Sequence, residues 1–468
     1  MKRLEEIAAG YAMSSSLALR SIGAVSLCAF VSLHVQLAGL FGDGGIDPME
    51  ARVARISEQL SFADVPSVLL WIGGSDAAMS ATCIAGELAS LAMLFAVGGG
   101  LAPLIAYAAY LSFVSLGAPF LPLQWDTLLT ESLVVAAIAS PRTLRRVPLR
   151  VPHAPHPIAL FAMWLLVGRL MFASGWVKLA SGDPAWRTLT ALDFHFETQP
   201  LPTLVGYAMH FAPSFFRVSG VVMTFVVELV LPSGIAFGTL GRRIAAVGFA
   251  SLLLVIAITG NYGFFDFLAL ALTISLVDDD ALRFRFTRPD GASPHAITIV
   301  AGAQTLFALL ALGGTLGVGT LVPQAMDPFR VANHYGLFAV MTQERPIVIF
   351  EGSEDGVTWR EYDYRWQSGD PSRAPAACMP HMPRLDWMVW FAGLGGGEPE
   401  PWIVRTEIAL LEARPDVLAL FGRDPFDGRA PRFVRTIRYD YAFAPPGDRD
   451  WWARSDGQPY GPVLQRRE

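Results

Sequence analysis

The segment 169–202, RLMFASGWVKLASGDPAWRTLTALDFHFETQPLP, decides how the chain is laid out. It begins inside an apolar helix and leaves it through Ser174-Gly175-Trp176. It then gathers Arg169, Lys178, Asp183, Trp186, Asp193, His195 and Glu197 within a short span. It starts at membrane depth, where an ionisable group is costly and marks a functional candidate. Among 35 Lys plus Arg residues, only Lys2 and Lys178 are lysine. Such an arginine bias follows from GC-rich coding and implies a bacterial source. Lysine, unlike arginine, can lose its proton on burial and act as a base. A lysine at a helix end can equally snorkel toward the interface.

Outward from this segment, composition sets the class. The chain has 468 residues, of which 53% are hydrophobic and 16% charged. Soluble proteins average about 25% charged residues. The deficit is concentrated in the first 320 or so residues, the pattern of a polytopic helical membrane protein with a soluble tail. The net charge of −6 argues against a nucleic-acid partner. Cys28, Cys83 and Cys378 form no CxxC and no disulfide framework.

Apolar runs at about 21–41, 77–97, 100–118, 124–140, 157–177, 215–239, 243–259, 262–277 and 296–319 predict about nine transmembrane helices. The pair meeting at Gly260-Asn261 reads as two spans or as one re-entrant element. Arginines gather at Arg142, Arg145, Arg146 and Arg150, at Arg242 and Arg243, and at Arg283, Arg285 and Arg288. Nine spans with a cytoplasmic N-terminus place all three groups inside, as the positive-inside rule requires. Loops 42–76 and 178–214, and the tail, then lie outside. The expected location is a bacterial inner membrane, with the tail periplasmic.

Two regions follow: a membrane region, 1–322, and a tail, 323–468. In the tail, 334–341, 346–352, 358–366 and 432–444 read as strands, and 384–394 and 401–421 as helices. Asp355-Gly356 supplies a hairpin turn. The last twenty residues read as loosely ordered. The tail is an α+β domain, large enough for its own core.

Glu87, Asp126, Glu131, Arg169, Glu228 and Asp266 lie inside expected spans. Such groups pair with one another or line a wet cavity. Asp126, Glu131 and Arg169 form the expected polar cluster, with Arg169 paired to either acid. Zincin, nucleophile-elbow and P-loop signatures are absent, and no spacing suits a metal. His195, flanked by Asp193 and Glu197, suits acid–base work or capping of a loop.

Several stretches carry a resemblance. FASGWVKLASGDPAWRTLTALDFHFETQPLP (172–202), FLPLQWDTLLTES (120–132), RVANHYGLFAVMTQERPIVIFEGSEDGVTWREYDYRW (330–366) and PHMPRLDWMVWFAGL (380–394) resemble the lipase maturation factor family. The resemblance implies multi-pass membrane proteins that help secreted lipases reach an active fold, with a tail that contacts the client. It implies an extracytoplasmic folding or assembly role with no cofactor, and more a chaperone than an enzyme. The expected partners are membrane lipid and a secreted or envelope client, with a lipase as one example. The surface expected to meet it comprises Asp183, Trp186, Asp193, Glu197, Arg345, Glu351, Asp355, Trp359, Arg384, Asp386 and Trp387. A second pattern, Phe172, Gly175, Lys178, Asp183 and Trp186, is similar to vitamin K-dependent γ-carboxylase-type membrane enzymes. That similarity implies a quinone or other lipid-soluble substrate, with Lys178 as base. EGSEDGVTW (351–359) resembles the strand–turn–strand of galactose-binding-like β-sandwiches, and also reads as a plain hairpin with Trp359 buried.

Overall fold

The computed structural model describes residues 2–282, 295–318, 322–395 and 397–466. Arg283, Arg285 and Arg288 lie outside the described residues.

Among the described residues, six helices are long and apolar enough to cross a membrane: α1 (Ala12–His34), α2 (Asp76–Leu94), α5 (Pro157–Ala180), α7 (Ser214–Gly234), α8 (Gly238–Thr259) and α10, apolar over Thr298–Thr315. Three further expected spans form shorter helices: α3 (Leu101–Leu116) and α4 (Gln124–Ala139), of 16 residues each, and α9 (Phe265–Ile274), of 10. A straight crossing needs about 20 residues, so the architecture has about six candidate spans. Gly260-Asn261 follows a full-length helix, so 243–259 is not half of a re-entrant element. Helix α1 starts well before residue 21. The Asp279 carboxylate accepts the backbone N–H of Met13 and of Ser14, both at 3.0 Å, and caps a polar first turn that apolar patterning cannot register.

One end of the bundle carries the arginines. Arg20 donates to the carbonyls of Leu94 and Val147, at 3.1 and 2.7 Å. Arg242 donates to the Tyr11 hydroxyl at 2.7 Å, and Arg243 pairs with Asp278 at 2.6 Å. The 141–156 linker, with four more arginines, lies here as well. The opposite end carries residues 178–204, with α6 (Ala191–Thr198), and the tail.

The tail is β-rich. Strand β1 (Arg345–Ser353) lies between β2 (Arg360–Glu361) and β3 (Phe433–Phe443), all antiparallel. On its far side β3 pairs with β4 (Trp452–Arg454), β5 (Gln458–Pro459) and β6 (Leu464–Gln465). The end of the chain, read as loosely ordered, thus carries three short strands of the sheet among its described residues. Among the described residues all strands belong to one six-stranded sheet, not to a sandwich. Helices α11 (Arg384–Leu394) and α12 (Pro401–Leu411) pack against it where a second sheet would lie. Every residue of β1 is buried.

Residues 334–341 are not a strand, because their backbone bonds to side chains of the bundle instead of to a ladder. Gln124 accepts from Gly336 N–H at 3.3 Å and donates to the Gly336 carbonyl at 3.1 Å. Asp183 accepts from Met341 N–H at 2.6 Å. One apolar cluster runs continuously from α1 to Trp452, so bundle and tail share a core.

Candidate functional site

Glu87 meets His34 at 2.9 Å, and neither oxygen of the buried Asp266 has a hydrogen-bond partner among the described residues. Asp126, Glu131 and Glu228 find their cations in two places. The first is the seam under the tail. Arg169 on α5 pairs with Glu131 on α4, both buried, and donates to the Ala308 carbonyl at 2.8 Å. The other Glu131 oxygen accepts from the Tyr335 hydroxyl at 2.7 Å and from Asn333 N–H at 3.0 Å. Asp126 does not join Arg169. It caps its own helix and takes two parallel bonds, each 2.7 Å, from Arg384 of α11. Tyr110 donates to the same carboxylate at 2.7 Å. Such a fork–fork pair is the strong form of a charge-assisted bond. The expected cluster of three is thus two separate pairs, and the second reaches across to the tail.

Arg345 binds the 178–214 segment to β1. Its guanidinium donates to the carbonyls of Glu197 (3.2 Å), Gln199 and Pro200 (2.9 Å), and to Gln367 Oε1. Burial pulls its pKa down to about 9, with Glu197 and Tyr441 pulling the other way. Trp390 donates to the Thr198 carbonyl at 2.9 Å, and Phe443 N–H donates to Glu197 at 2.8 Å. The loop and the tail therefore lie on the same side of the bundle.

The second place is a cavity of about 110 Å³ between α5, α7, α8 and residues 337–338. Lys178 projects into its wall and spends its three N–H donors on Glu228 Oε2 (2.8 Å), Glu228 Oε1 (3.0 Å) and the Ser174 carbonyl (3.1 Å). Glu228 lies on a π-helical turn, Val226–Val230, within α7. Such turns favour functional sites. Gly175 permits the approach, since a Cβ there would stand 2.8 Å from that of Glu228. Trp186 covers the ammonium at 5.3 Å and donates to the Phe338 carbonyl at 2.9 Å.

His195 reaches this cavity without Asp193 or Glu197. On α6, residues two apart point to different sides. Asp193 pairs with Arg217, and Glu197 faces Phe443, while His195 meets the Tyr262 hydroxyl at 3.1 Å and stands edge-on to Phe338 at 4.8 Å. Burial, then the charge of Lys178, push its pKa down to about 4. Its hydrogen-bond partner is thus Tyr262, in the loop between α8 and α9, and not Asp193 or Glu197.

The expected partner surface is largely interior. Asp183, Trp186, Arg345, Glu351, Arg384, Asp386 and Trp387 are all buried. They join elements to one another: Asp386 accepts from Trp366 and Gln367 N–H at 2.7 and 2.8 Å, Glu351 pairs with Arg435, and Trp387 meets Trp125 edge-on. Trp359 is half-buried beneath the Arg435 guanidinium, at 4.0 Å. Asp355 is exposed, and bonds from Thr358 and Val357 N–H hold its carboxyl below the usual range. Sequence reading missed Tyr110, Tyr262, Gln199, Asn333, Tyr335 and Phe338 as members of these sites. The one available signal was that the acids in the spans outnumber the bases.

Two family models cover most of the chain. The lipase maturation factor transmembrane domain matches residues 13–284, and the lipase maturation factor C-terminal domain matches residues 331–462. The chain belongs to the lipase maturation factor family. Chicken lipase maturation factor 2 is 31% identical over 95% of this chain and 80% of its own length. For human lipase maturation factor 2 the values are 31%, 95% and 82%, and for cattle lipase maturation factor 1 they are 30%, 96% and 88%. No solved structure matches. As a lipase maturation factor-like membrane protein, the chain carries both matched regions, and the seam pairs join them: Asp126 lies in the first and Arg384 in the second. The reading of Lys178 as a catalytic base is not favoured, since Glu228 already holds the amine.

Proposed function

We propose that this family member assists the folding, assembly or export of a secreted or envelope protein, such as a lipase. The single observation that carries the reading is the Arg345 clasp on the carbonyls of Glu197, Gln199 and Pro200, which makes the 178–214 loop and the tail one surface. The exposed residues around it, not the buried clasp, would meet the client. With the arginine-rich end cytoplasmic, that surface faces outward from a bacterial inner membrane, with residues 1–322 as its platform and 323–468 as its working part. The test compares active secreted lipase in cells with and without the chain, at equal lipase synthesis. Loss of active enzyme with accumulation of inactive, aggregated lipase is expected. Equal activity in both would overturn the reading.

A further inference from the structure

The cavity beside Lys178 is open on one flank. Helices α7 and α8 form a hairpin whose crossing is tight at the arginine-rich end: a Cβ on Gly241 would stand 2.3 Å from the Gly234 carbonyl. Small residues at such a contact let two backbones meet inside a membrane. Toward the tail the hairpin spreads. Helix α8 packs against the π-turn and the residues after it, but not closely against Ser214–Phe225. The cavity fills the resulting wedge, and Val255, which lines it, is 42% exposed. Around the opening, Val222, Val226, Leu254 and Ile258 are exposed and apolar, the surface that a spanning hairpin turns toward lipid.

The wall chemistry selects the occupant. Leu170, Met223, Leu252 and Phe265 supply much of the lining. Every polar side chain on the wall already has an intramolecular partner. Ser174 donates to the Leu170 carbonyl (2.9 Å), Thr224 to that of Gly220 (2.9 Å), Thr259 to that of Val255 (2.8 Å), and Tyr262 to Gln199 (2.8 Å). Lys178 and Glu228 satisfy each other. A charged or strongly polar head would enter at a desolvation cost with no new bond in return. A hydrocarbon segment enters at no such cost, and engineered apolar cavities of ~150 Å³ take up benzene.

We propose that this cavity is a binding site for the hydrocarbon chain of a membrane lipid, which enters sideways between α7 and α8 and leaves its head outside. The chain then touches Leu337 and Phe338, which lead into the tail, and so links bilayer contents to the seat of the tail. This is independent of the proposed client role.

The test uses the full-length protein in phosphatidylcholine vesicles carrying a diazirine at the terminal acyl carbon or, separately, on the headgroup. After photolysis, the acyl probe should modify peptides containing Leu170–Lys178 and Gly220–Glu228 at inward-facing positions, and the headgroup probe should not. Val255→Trp, placed at the opening, should cut this inward labelling about tenfold. Ile244→Trp, on the exposed face of α8 near its arginine-rich end and away from the opening, should leave it unchanged. Acyl labelling confined to outward residues such as Val222 and Leu254 in the unmodified protein would overturn the proposal, whatever the variants do. So would equal inward labelling by both probes, or inward labelling indifferent to Val255→Trp.

Discussion

The seam beneath the tail and the wedge between α7 and α8 hold the same chemistry in opposite settings. Each buries a cation against a carboxylate donated by a helix. At the seam, Asp126 and Glu131 are surrounded by further donors, Tyr110, Tyr335 and Asn333, and apolar packing closes around them. At the wedge, Lys178 and Glu228 have each other, one carbonyl and the Trp186 ring over the ammonium, beside empty volume. Buried ion pairs add little net stability, yet breaking one strands a charge. The seam pairs therefore act as register pins that fix where the tail sits. The wedge pair neutralises the wall of a cavity.

The difference can be attacked by substitution. Arg384→Met should be the most damaging, because it leaves the Asp126 carboxylate buried with no cation. A loss of about 3–5 kcal/mol is expected, read as a lower midpoint in thermal unfolding of detergent-solubilised protein and faster proteolysis of the tail. Arg384→Lys keeps the charge but not the fork, and should lose about 1–3 kcal/mol. Lys178→Arg sharpens the contrast. The neighbouring void accepts the extra atoms, so less than about 1 kcal/mol should be lost. An effect at Lys178 as large as that at Arg384 would erase the distinction between the two regions.

A smaller effect comes from pH. Glu407 is buried in the tail with one oxygen bonded to Thr436 at 2.9 Å, and burial pushes its pKa up to about 7. Its folded pKa exceeds the unfolded value, so its contribution is complete below about 4.5 and is lost as pH rises toward 7. Glu407→Gln should flatten that decline in chemical denaturation of the full chain. His195 has the opposite sign: its folded pKa is depressed to about 4, so its contribution is lost as pH falls from about 6.5 to 4. His195→Gln should flatten the acid limb and leave the neutral limb unchanged.

Local patterning carried much of the fold into view. Helix 384–394, strand 346–352 and the Asp355-Gly356 turn are encoded by residues close together in sequence, and each forms. The resemblance of segments 172–202 and 330–366 pointed to the right family. The site was less legible, because its bonds are long-range. Arg384 and Asp126 stand 258 residues apart, and no periodicity connects them. The excess of acids over bases in the spans did signal a missing cation, but not that the tail supplies it. Residues 334–341 misled because a β-prone sequence meets side-chain acceptors on the bundle before it can meet a strand. His195 misled because sequence neighbours two apart on a helix are not neighbours in space.

The outward placement of the joined loop-and-tail surface is tested most directly by accessibility from one side of an intact membrane. Val340, in the segment leading to the tail, is 65% exposed, and Leu144, in the arginine-rich linker, is 64% exposed. In intact spheroplasts, a membrane-impermeant maleimide should modify a Val340→Cys protein, and should modify a Leu144→Cys protein only after permeabilisation. Modification of Leu144→Cys before permeabilisation with Val340→Cys protected would contradict the account.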